Sequence, residues 1–249
     1  MKKRLDILLV ERGLFATRAK AQAAVMAGTV LVDGSLETKA GAPVSDEAPI
    51  EVAAACPFVS RGGLKLEAAL KSFPVEVHGE VCLDVGASTG GFTDCLLQRG
   101  AAKVYAADVG HGQLDAKLRQ DPRVTSLEKT HARDLSAARF DPRPNLAVID
   151  VSFISLTKVL PHVVRCLGPR FHIVALVKPQ FELGPKEAPK GVVRDADKRL
   201  KAVDLVRAVL PSLGLREAGT LESPVKGPKG NVEIFIHLVP GQAGRVQSP

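Results

Sequence analysis

Apolar positions in the first fifty residues recur at helical spacing and then give way to short apolar runs. The leucines that begin at Leu5 are spaced for one helix, which Gly13 is expected to end. Thr17 is the expected N-cap of a second helix that runs through Met26. Two short strands are predicted after these helices, at 29–32 and 50–52. The pattern therefore predicts a small α+β domain over residues 1–53.

Residues 54–60 lack a period and contain a proline, so they are predicted to form a linker. From residue 61 onward, apolar strand candidates alternate with helical segments. The strands are predicted at 81–85, 103–107, 124–128, 145–150, 171–177, 215–222 and 231–238. The helices are predicted at 63–73, 91–99, 112–119, 155–166 and 196–210. This alternation predicts a Rossmann-like α/β domain with a mostly parallel seven-stranded sheet over residues 61–240, followed by a frayed tail at 241–249.

The composition of the chain indicates where the protein is expected to reside and what kind of partner it is expected to bind. Of 249 residues 45% are hydrophobic, which is enough for a buried core, and the formal net charge is +7. A basic balance favours an acidic partner such as nucleic acid without proving one. The sequence shows no signal peptide and no apolar run near the roughly 18 residues that a spanning helix needs. Four cysteines without CxxC spacing and six scattered histidines indicate free thiols and no metal site. A cytoplasmic protein without membrane association is expected.

Charge is unevenly distributed within the small domain. Residues 1–32 hold six basic and two acidic side chains, whereas residues 33–60 hold one basic and five acidic. A helix pair with one basic face fits a phosphate-binding surface, and a solvated helix face fits the same pattern equally well. The candidate RNA contacts on this face are Lys2, Lys3, Arg4, Arg18 and Lys20.

The strand at 81–85 leads into a glycine-rich turn and a predicted helix. Glycines let a backbone approach a ligand closely, and the helix N-terminus supplies free N–H donors. Asp108 ends the next strand, at a spacing from this turn that suits contact with the ribose hydroxyls of a nucleoside. A glycine-rich turn without a ligand is the alternative. The candidate cofactor residues are Asp84, Gly86, Ser88, Thr89, Gly90, Gly91, Phe92 and Asp108.

Two residues distinguish the cofactors that use this layout. Ser88 stands where the dinucleotide fingerprint has its second glycine, which lets a pyrophosphate approach. Asp84 could hold a cationic amino-acid moiety but would repel a pyrophosphate. S-adenosylmethionine is therefore favoured over a nicotinamide dinucleotide, and a dehydrogenase is disfavoured. Asp134, after the third strand, is predicted either to contact the adenine or to cap a helix.

Charged residues also terminate strands that should be neighbours. Asp150 and Lys178 each follow an apolar strand, and Glu233 lies in the last strand candidate, 231–238. Lys65 lies on the helix that leads into the sheet. Charges beside a core are unfavourable unless they are paired or functional. Methylation of a hydroxyl needs a positioned base, and a lysine becomes one when its surroundings favour the neutral amine. The hypothesis is that Lys178 is this base and that Lys65, Asp150 and Glu233 orient and tune it; a structural ion-pair cluster is the alternative.

At these residues the chain resembles the TlyA family of ribosomal-RNA ribose 2′-O-methyltransferases, sometimes labelled haemolysin-like. The similarity is strongest in five segments: 60–66, 84–94, 150–156, 178–182 and 190–195. The first 50 residues resemble an RNA-binding module shared by a ribosomal protein and RNA-modifying enzymes. The second domain resembles FtsJ-like 2′-O-methyltransferases, whose Lys-Asp-Lys-Glu tetrad matches Lys65, Asp150, Lys178 and Glu233. The resemblance implies transfer of a methyl group from S-adenosylmethionine to the ribose 2′-hydroxyl of cytidine in ribosomal RNA, with that RNA or ribosomal subunits as partners.

Two glycine- and proline-rich loops, at 183–194 and 223–230, flank the expected site. Their basic side chains are predicted to hold RNA phosphates, although ordinary solvated loops would look the same. These residues are Lys186, Lys190, Arg194, Lys226 and Lys229. Phe153 and Phe181 are candidates for stacking on a target base, with core packing expected for at least one of them. A non-catalytic RNA-binding protein would leave the glycine-rich turn unexplained, and a membrane-lytic protein would need an insertable segment.

Overall fold

The computed structural model describes residues 2–26, 28–52, 56–227 and 229–241. The chain divides into two compact units, Met1–Pro57 and Phe58–Pro249. Ala54 and Ala55 of the expected linker, and all but the first residue of the expected tail, lie outside the described residues. Residues 58–60 belong to the second unit, so the linker over 54–60 stays a prediction.

The first unit contains both predicted helices, α1 (Leu5–Glu11) and α2 (Arg18–Met26). The Thr17 hydroxyl accepts a hydrogen bond from the Lys20 amide at 3.3 Å, as an N-cap does. Its strands are β1 (Lys2–Arg4), β2 (Val30–Val32), β3 (Ser35–Leu36), β4 (Pro43–Ser45) and β5 (Ile50–Val52). β2 lies between β3 and β5 in one antiparallel sheet, and β1 pairs with β4. The unpredicted strands β1, β3 and β4 are too short to show a period.

The second unit is an α/β domain in which helices follow most of the strands. Its strands are β6 (Val81–Val85), β7 (Lys103–Ala107), β8 (Val124–Leu127), β9 (Leu146–Ile149), β10 (His172–Val177), β11 (Leu215–Glu222) and β12 (Ile234–Pro240). Its helices are α3 (Gly62–Ser72), α4 (Gly91–Gln98), α5 (Ala116–Gln120), α6 (Leu156–Val164), α7 (Pro179–Glu182) and α8 (Ala196–Val209). In the described part of the chain these strands form one seven-stranded sheet, as the sequence pattern predicts.

The strand order is β11-β12-β10-β9-β6-β7-β8. The chain starts in the interior at β6, adds β7 and β8 on one side, and then returns to add β9 and β10 on the other. The carboxyl ends of β6 and β9 therefore flank the point where the order reverses, which is where open α/β sheets bind ligands. β12 is antiparallel to both β10 and β11, so the sheet is mostly parallel, as predicted.

Two predicted element boundaries were wrong. The last strand begins at Ile234 and not at residue 231, because Asn231 belongs to the preceding loop and bonds to a neighbouring segment. Glu233 therefore precedes β12 and does not lie in it. Helix α5 begins at Ala116 and not at 112, because the Asp115 side chain caps it by accepting from the Lys117 amide at 2.8 Å.

Both faces of the central strands are buried, which is typical of parallel sheets covered on each side. Leu83, Ala147 and Ile173 belong to one core cluster that includes residues of α6 and α8. Their neighbours in sequence, such as Val148 and Val174, are equally inaccessible to solvent. Cys82, Cys95 and Cys166 are buried free thiols.

Candidate active site

The turn after β6 brings two strand ends into close contact. Gly86 has φ +88°, and a Cβ there would lie 2.4 Å from the carbonyl oxygen of Asp150. Gly90, with φ +97°, immediately precedes α4, and a Cβ there would lie 2.2 Å from the Leu118 side chain. The fold itself therefore requires glycine at both positions. The result is a loop whose backbone is exposed to the space above the strand ends.

A cleft of about 250 Å³ opens beside this loop. It is lined by five of the predicted cofactor residues, Gly86, Ser88, Thr89, Gly91 and Phe92. Lys65 and Asp150 of the predicted tetrad line the same cleft, together with Arg61 and Lys226. The structure therefore brings the glycine-rich turn, two tetrad residues and two further cations to one cavity.

Asp84 is fully buried and is not among the residues that line the cleft. Its Oδ2 accepts a hydrogen bond from the Thr93 hydroxyl at 2.7 Å, whereas its Oδ1 accepts none from any residue the structure describes. Burial, with a smaller contribution from the charge of Asp150, raises the pKa of this carboxyl to about 7. A buried carboxylate oxygen without a donor fits a cationic amino group, as the sequence suggested for Asp84.

Asp108 follows β7 and is held by backbone amides. Its Oδ2 accepts from the Ser88 amide at 2.8 Å, and its Oδ1 accepts from the Gly110 amide at 2.7 Å. A small hollow of about 10 Å³ beside it has room for roughly one water molecule. The Gln113 amide oxygen lies 3.4 Å from the Ser88 hydroxyl across this hollow. The hollow in this arrangement is smaller than a nucleoside, and Gln113 is one of the side chains that narrow it.

Asp134 lies apart from both cavities. It is exposed at the end of a short 3₁₀ turn, where Arg133 is 3.8 Å away. It caps no helix, and its contact with adenine stays a prediction.

Glu128, which the sequence reasoning missed, directly follows β8 and lines the hollow beside Asp108. The strand-end rule that identified Asp108 and Asp150 would also have identified Glu128.

The predicted tetrad forms two short ion pairs. The Lys178 Nζ lies 2.6 Å from Asp150 Oδ1 and also donates to the Ser152 hydroxyl at 3.1 Å. The Lys65 Nζ lies 2.6 Å from Glu233 Oε2, and both side chains are buried. Buried pairs of this kind stabilise a fold weakly, because removing the charges from water offsets their attraction. Four such residues at one sheet edge therefore point to function.

Glu233 reaches this edge because β12 runs against β10. Val177 pairs with Ile234, so the amino end of β12 lies beside the carboxyl end of β10. Lys65 is placed by a close approach of α3 to α4. A Cβ on Gly91 would lie 2.2 Å from the Ser60 hydroxyl and 2.9 Å from the Gly63 amide. Because glycines let the start of α3 pack closely against the start of α4, the first turns of α3, which carry Lys65, line the cleft.

A sequence comparison decides the family. Residues 58–239 match the family model described as FtsJ-like methyltransferase. The chain belongs to this family. FtsJ-like methyltransferases depend on S-adenosylmethionine, so membership excludes a dehydrogenase and a protein that only binds RNA. Residues 3–50 of this FtsJ-like chain match a second family model, the S4 domain.

Similar proteins cover nearly the whole FtsJ-like chain. The 16S/23S rRNA (cytidine-2′-O)-methyltransferase TlyA of Mycobacterium tuberculosis is 48% identical over 238 residues, which is 94% of this chain and 89% of that protein. Hemolysin A of Brachyspira hyodysenteriae is 43% identical over 95% of this chain and 99% of its own length. A solved structure of a candidate hemolysin from Streptococcus thermophilus is 42% identical, with a TM-score of 0.77 over 97% of this chain and 89% of that one. Among the described helices of this chain, none has the length and apolarity needed to cross a membrane.

One aromatic side chain beside the FtsJ-like site points into solvent. Phe153 is 90% exposed and has φ +64°, which is unusual for a residue other than glycine. Its ring centroid lies 5.1 Å from that of the half-buried Phe181. Core packing is therefore not the role of Phe153, and stacking on a base stays the prediction for it.

Several predicted RNA contacts in the first unit already have protein partners. Lys3 is 2.7 Å from Glu11 and 3.4 Å from Asp46. Arg4 and Arg18 are half-exposed and both bind the buried Asp6, whose pKa they hold well below its usual range. Lys2 and Lys20 are exposed. The basic face is thus partly neutralised, and its contact with RNA stays a prediction.

The basic residues of the two loops have different surroundings. All five are exposed, and in the described part of the chain no carboxylate lies within 4.0 Å of any of them. They are Lys186, Lys190, Arg194, Lys226 and Lys229. In this FtsJ-like methyltransferase the loops therefore offer positive charge without carboxylate partners among the residues described, and Lys226 brings that charge to the cleft.

Proposed function

We propose that this chain transfers a methyl group from S-adenosylmethionine to the ribose 2′-hydroxyl of cytidine in ribosomal RNA, within ribosomal subunits or on the free RNA. The observation that carries the proposal is the pair of Lys–carboxylate contacts beside the glycine-rich cleft. The family and the TlyA relative support the same reaction. The S4 match at the N-terminus supports an RNA substrate.

The residues present fit the cofactor. Asp84 offers an unpartnered carboxylate oxygen for the cationic amino group. Each Asp108 oxygen already accepts from one backbone amide and keeps a second acceptor position for a ribose hydroxyl. The backbone from Gly86 to Gly91 would lie along the rest of the molecule. When bound, S-adenosylmethionine supplies a methyl group on a sulfonium that is reactive toward a nucleophilic oxygen.

The other requirement of the reaction is activation of the acceptor hydroxyl. An alcohol is a poor nucleophile until its proton is removed or polarised. Lys178 is the base in this proposal: its Nζ, once neutral, accepts the hydroxyl proton and later releases it to solvent. Asp150 and Ser152 hold that nitrogen in place. Glu233 positions Lys65 at the same edge of the sheet, with its Oε2 2.6 Å from the Lys65 Nζ.

A lysine comparison tests this role. Lys178→Ala should lower kcat at least about 100-fold, the usual contribution of a general base, while the Kd for S-adenosylmethionine stays within about twofold. Lys103→Ala is the matched control. Lys103 is the first residue of β7, at the opposite edge of the sheet from the cleft, and it contacts the Asp141 carbonyl and the Tyr105 ring, so its removal should leave turnover unchanged. Turnover is followed by transfer of labelled methyl to ribosomal RNA, and ribose methylation is mapped in cells with and without the gene. Near wild-type turnover in Lys178→Ala would refute the role of this lysine, and methylation on the base would refute the proposed acceptor.

A further inference from the structure

Asn231 joins the two basic loops through both polar atoms of its side chain. Its Oδ1 accepts a hydrogen bond from the Val193 amide at 2.9 Å, and its Nδ2 donates to the Gly191 carbonyl at 2.9 Å. Its own backbone carbonyl accepts from the Gly227 amide at 2.9 Å. The residue is 3% exposed. One buried amide therefore holds the segment before α8 against the segment before β12.

A second contact joins the same two loops. The Lys229 Nζ donates to the Lys190 carbonyl at 3.3 Å. Lys190 and Gly191 have φ of +56° and +72°, so the chain turns sharply where it meets Asn231. Lys190, unlike Gly191, is strained in this left-handed conformation, which persists only where its surroundings hold it. The hydrogen bonds from Asn231 and Lys229 to this turn supply that support.

The loop that contains Asn231 also positions a tetrad residue. Glu233 lies two residues further on, and its carbonyl accepts from the Ser223 amide at 2.8 Å. A Cβ on Gly227 would lie 2.6 Å from Glu233 Oε1, so the loop backbone packs directly on the carboxylate that binds Lys65. The arrangement of the loop and the placement of the Lys65–Glu233 pair are therefore linked.

We propose that Asn231 is a positioning residue that makes the two basic loops one RNA-binding surface and links that surface to the Lys65–Glu233 pair. The inference rests on the proposed function, because it takes RNA as the partner. The cations of the surface, which lack carboxylate partners among the described residues, suit the phosphates of one RNA strand that passes the cleft. Loops held in one arrangement bind such a strand without first losing conformational freedom.

The chain offers a matched control in Asn145. This residue also bridges two segments, because its Oδ1 accepts from the Val81 amide at 3.1 Å and its Nδ2 bonds to Glu80. It precedes β9, so it lies at the amino edge of the sheet, opposite the cleft. Replacing either asparagine with alanine removes one side-chain bridge between two segments, which is buried at Asn231 and half-buried at Asn145. Only Asn231→Ala should alter the binding of RNA.

The first measurement compares the two variants on full-length protein, using ribosomal RNA as the probe. Asn231→Ala should raise the KM for RNA at least about tenfold and reduce the slope of log Kd against log salt by about 1 to 3, the loss of a few phosphate contacts. Its Kd for S-adenosylmethionine should stay within about twofold. Asn145→Ala should lower the melting temperature by a similar amount with no change in KM or salt slope. An unchanged KM in Asn231→Ala, or equal changes in both variants, would overturn the proposal.

A double-mutant cycle tests whether the loops act together. Lys226→Ala should weaken RNA binding by a larger factor in the wild-type background than in Asn231→Ala, because the two loops no longer share one arrangement in the latter. Equal factors in both backgrounds would overturn the proposal. The salt slope of the Kd and the double-mutant cycle are binding measurements and do not depend on methyl transfer, whereas the KM does. A wild-type protein that binds RNA but transfers no methyl group would therefore contradict the proposed function while leaving the role of Asn231 to be decided by the cycle.

Discussion

Replacing Asp84 with asparagine should stabilise the protein and abolish its response to the cofactor. Asp84 is buried, its Oδ1 has no donor among the described residues, and burial raises its pKa from 3.8 to about 7. A carboxyl whose pKa is raised in the fold stabilises the fold less as pH rises from its ordinary value to its folded value. The charged form is therefore unfavourable in the protein above about pH 7. The same charge is what a cationic amino group would bind.

The magnitude follows from the size of the pKa shift. A shift from 3.8 to about 7 corresponds to about 4 kcal/mol of unfavourable free energy at pH 8 and roughly 1.5 kcal/mol at pH 5. The asparagine amide would leave a buried N–H group without an acceptor, which costs about 1–3 kcal/mol at either pH. The net gain should be about 2 kcal/mol at pH 8 and close to zero at pH 5. For a domain of this size about 2 kcal/mol corresponds to roughly 4–8 °C in melting temperature.

The assay is thermal unfolding of the wild type and Asp84→Asn at pH 5 and pH 8, with and without S-adenosylmethionine. The wild type should gain stability on adding the cofactor, whereas Asp84→Asn should not, although it melts at a higher temperature at pH 8. Thr93→Val is a useful companion, because it removes the hydroxyl that bonds Asp84 while keeping its shape. If Asp84→Asn lowered the melting temperature equally at both pH values, the carboxyl would not be an unfavourable buried charge and the reasoning would fail.

Two further predictions concern residues around the sheet. His237 is 1% exposed and burial lowers its pKa to about 4, so the contribution of this residue to stability should fall by up to about 3 kcal/mol as pH falls from about 6.5 to 4. Asp84 acts in the opposite sense over this range, so the measurement is the difference in unfolding free energy between the wild type and His237→Phe in urea, which should shift by about 3 kcal/mol against the wild type between about pH 6.5 and pH 4; a constant difference would refute the role of His237. Glu182 accepts hydrogen bonds from the Ser155 hydroxyl and, at 2.9 Å, from the Leu156 amide. Glu182→Ala should therefore lower stability by about 1–2 kcal/mol and, because it loosens the segment that carries the neighbouring Phe153, should raise the KM for RNA. An unchanged KM would show that the Phe153 segment is held without this carboxylate.

The sequence predicted the sheet well because its signals are local. Each core strand is an apolar run bounded by turn residues, and the strand ends at Asp108, Asp150 and Lys178 follow directly from those runs. The seven strands were therefore found with errors of a few residues, the largest at the start of β12. In the first unit β1, β3 and β4 were missed, because they are two or three residues long and do not form an apolar run as β2 does.

Features that depend on distant partners were not predictable. Nothing near Lys178 in sequence indicates that it pairs with Asp150 while Lys65 pairs with Glu233, because the pairing depends on strand order and direction. The sequence also does not show that Asp6 partly neutralises Arg4 and Arg18, or that Asn231 bonds to Val193. In each case the partner is distant in sequence, and the two residues meet only because the fold brings their segments together.

The reversal of β12 has a consequence for how such a protein can change over generations. The connection of about eleven residues between β11 and β12 lies at the cleft end of the sheet. Substitutions, insertions and deletions in it would leave the order of the parallel strands unchanged. The side chains of Lys229, Asn231 and Glu233 anchor this connection to the rest of the structure. Substrate range could therefore diverge in this one hairpin connection, with the reaction chemistry inherited unchanged from the strands beside it.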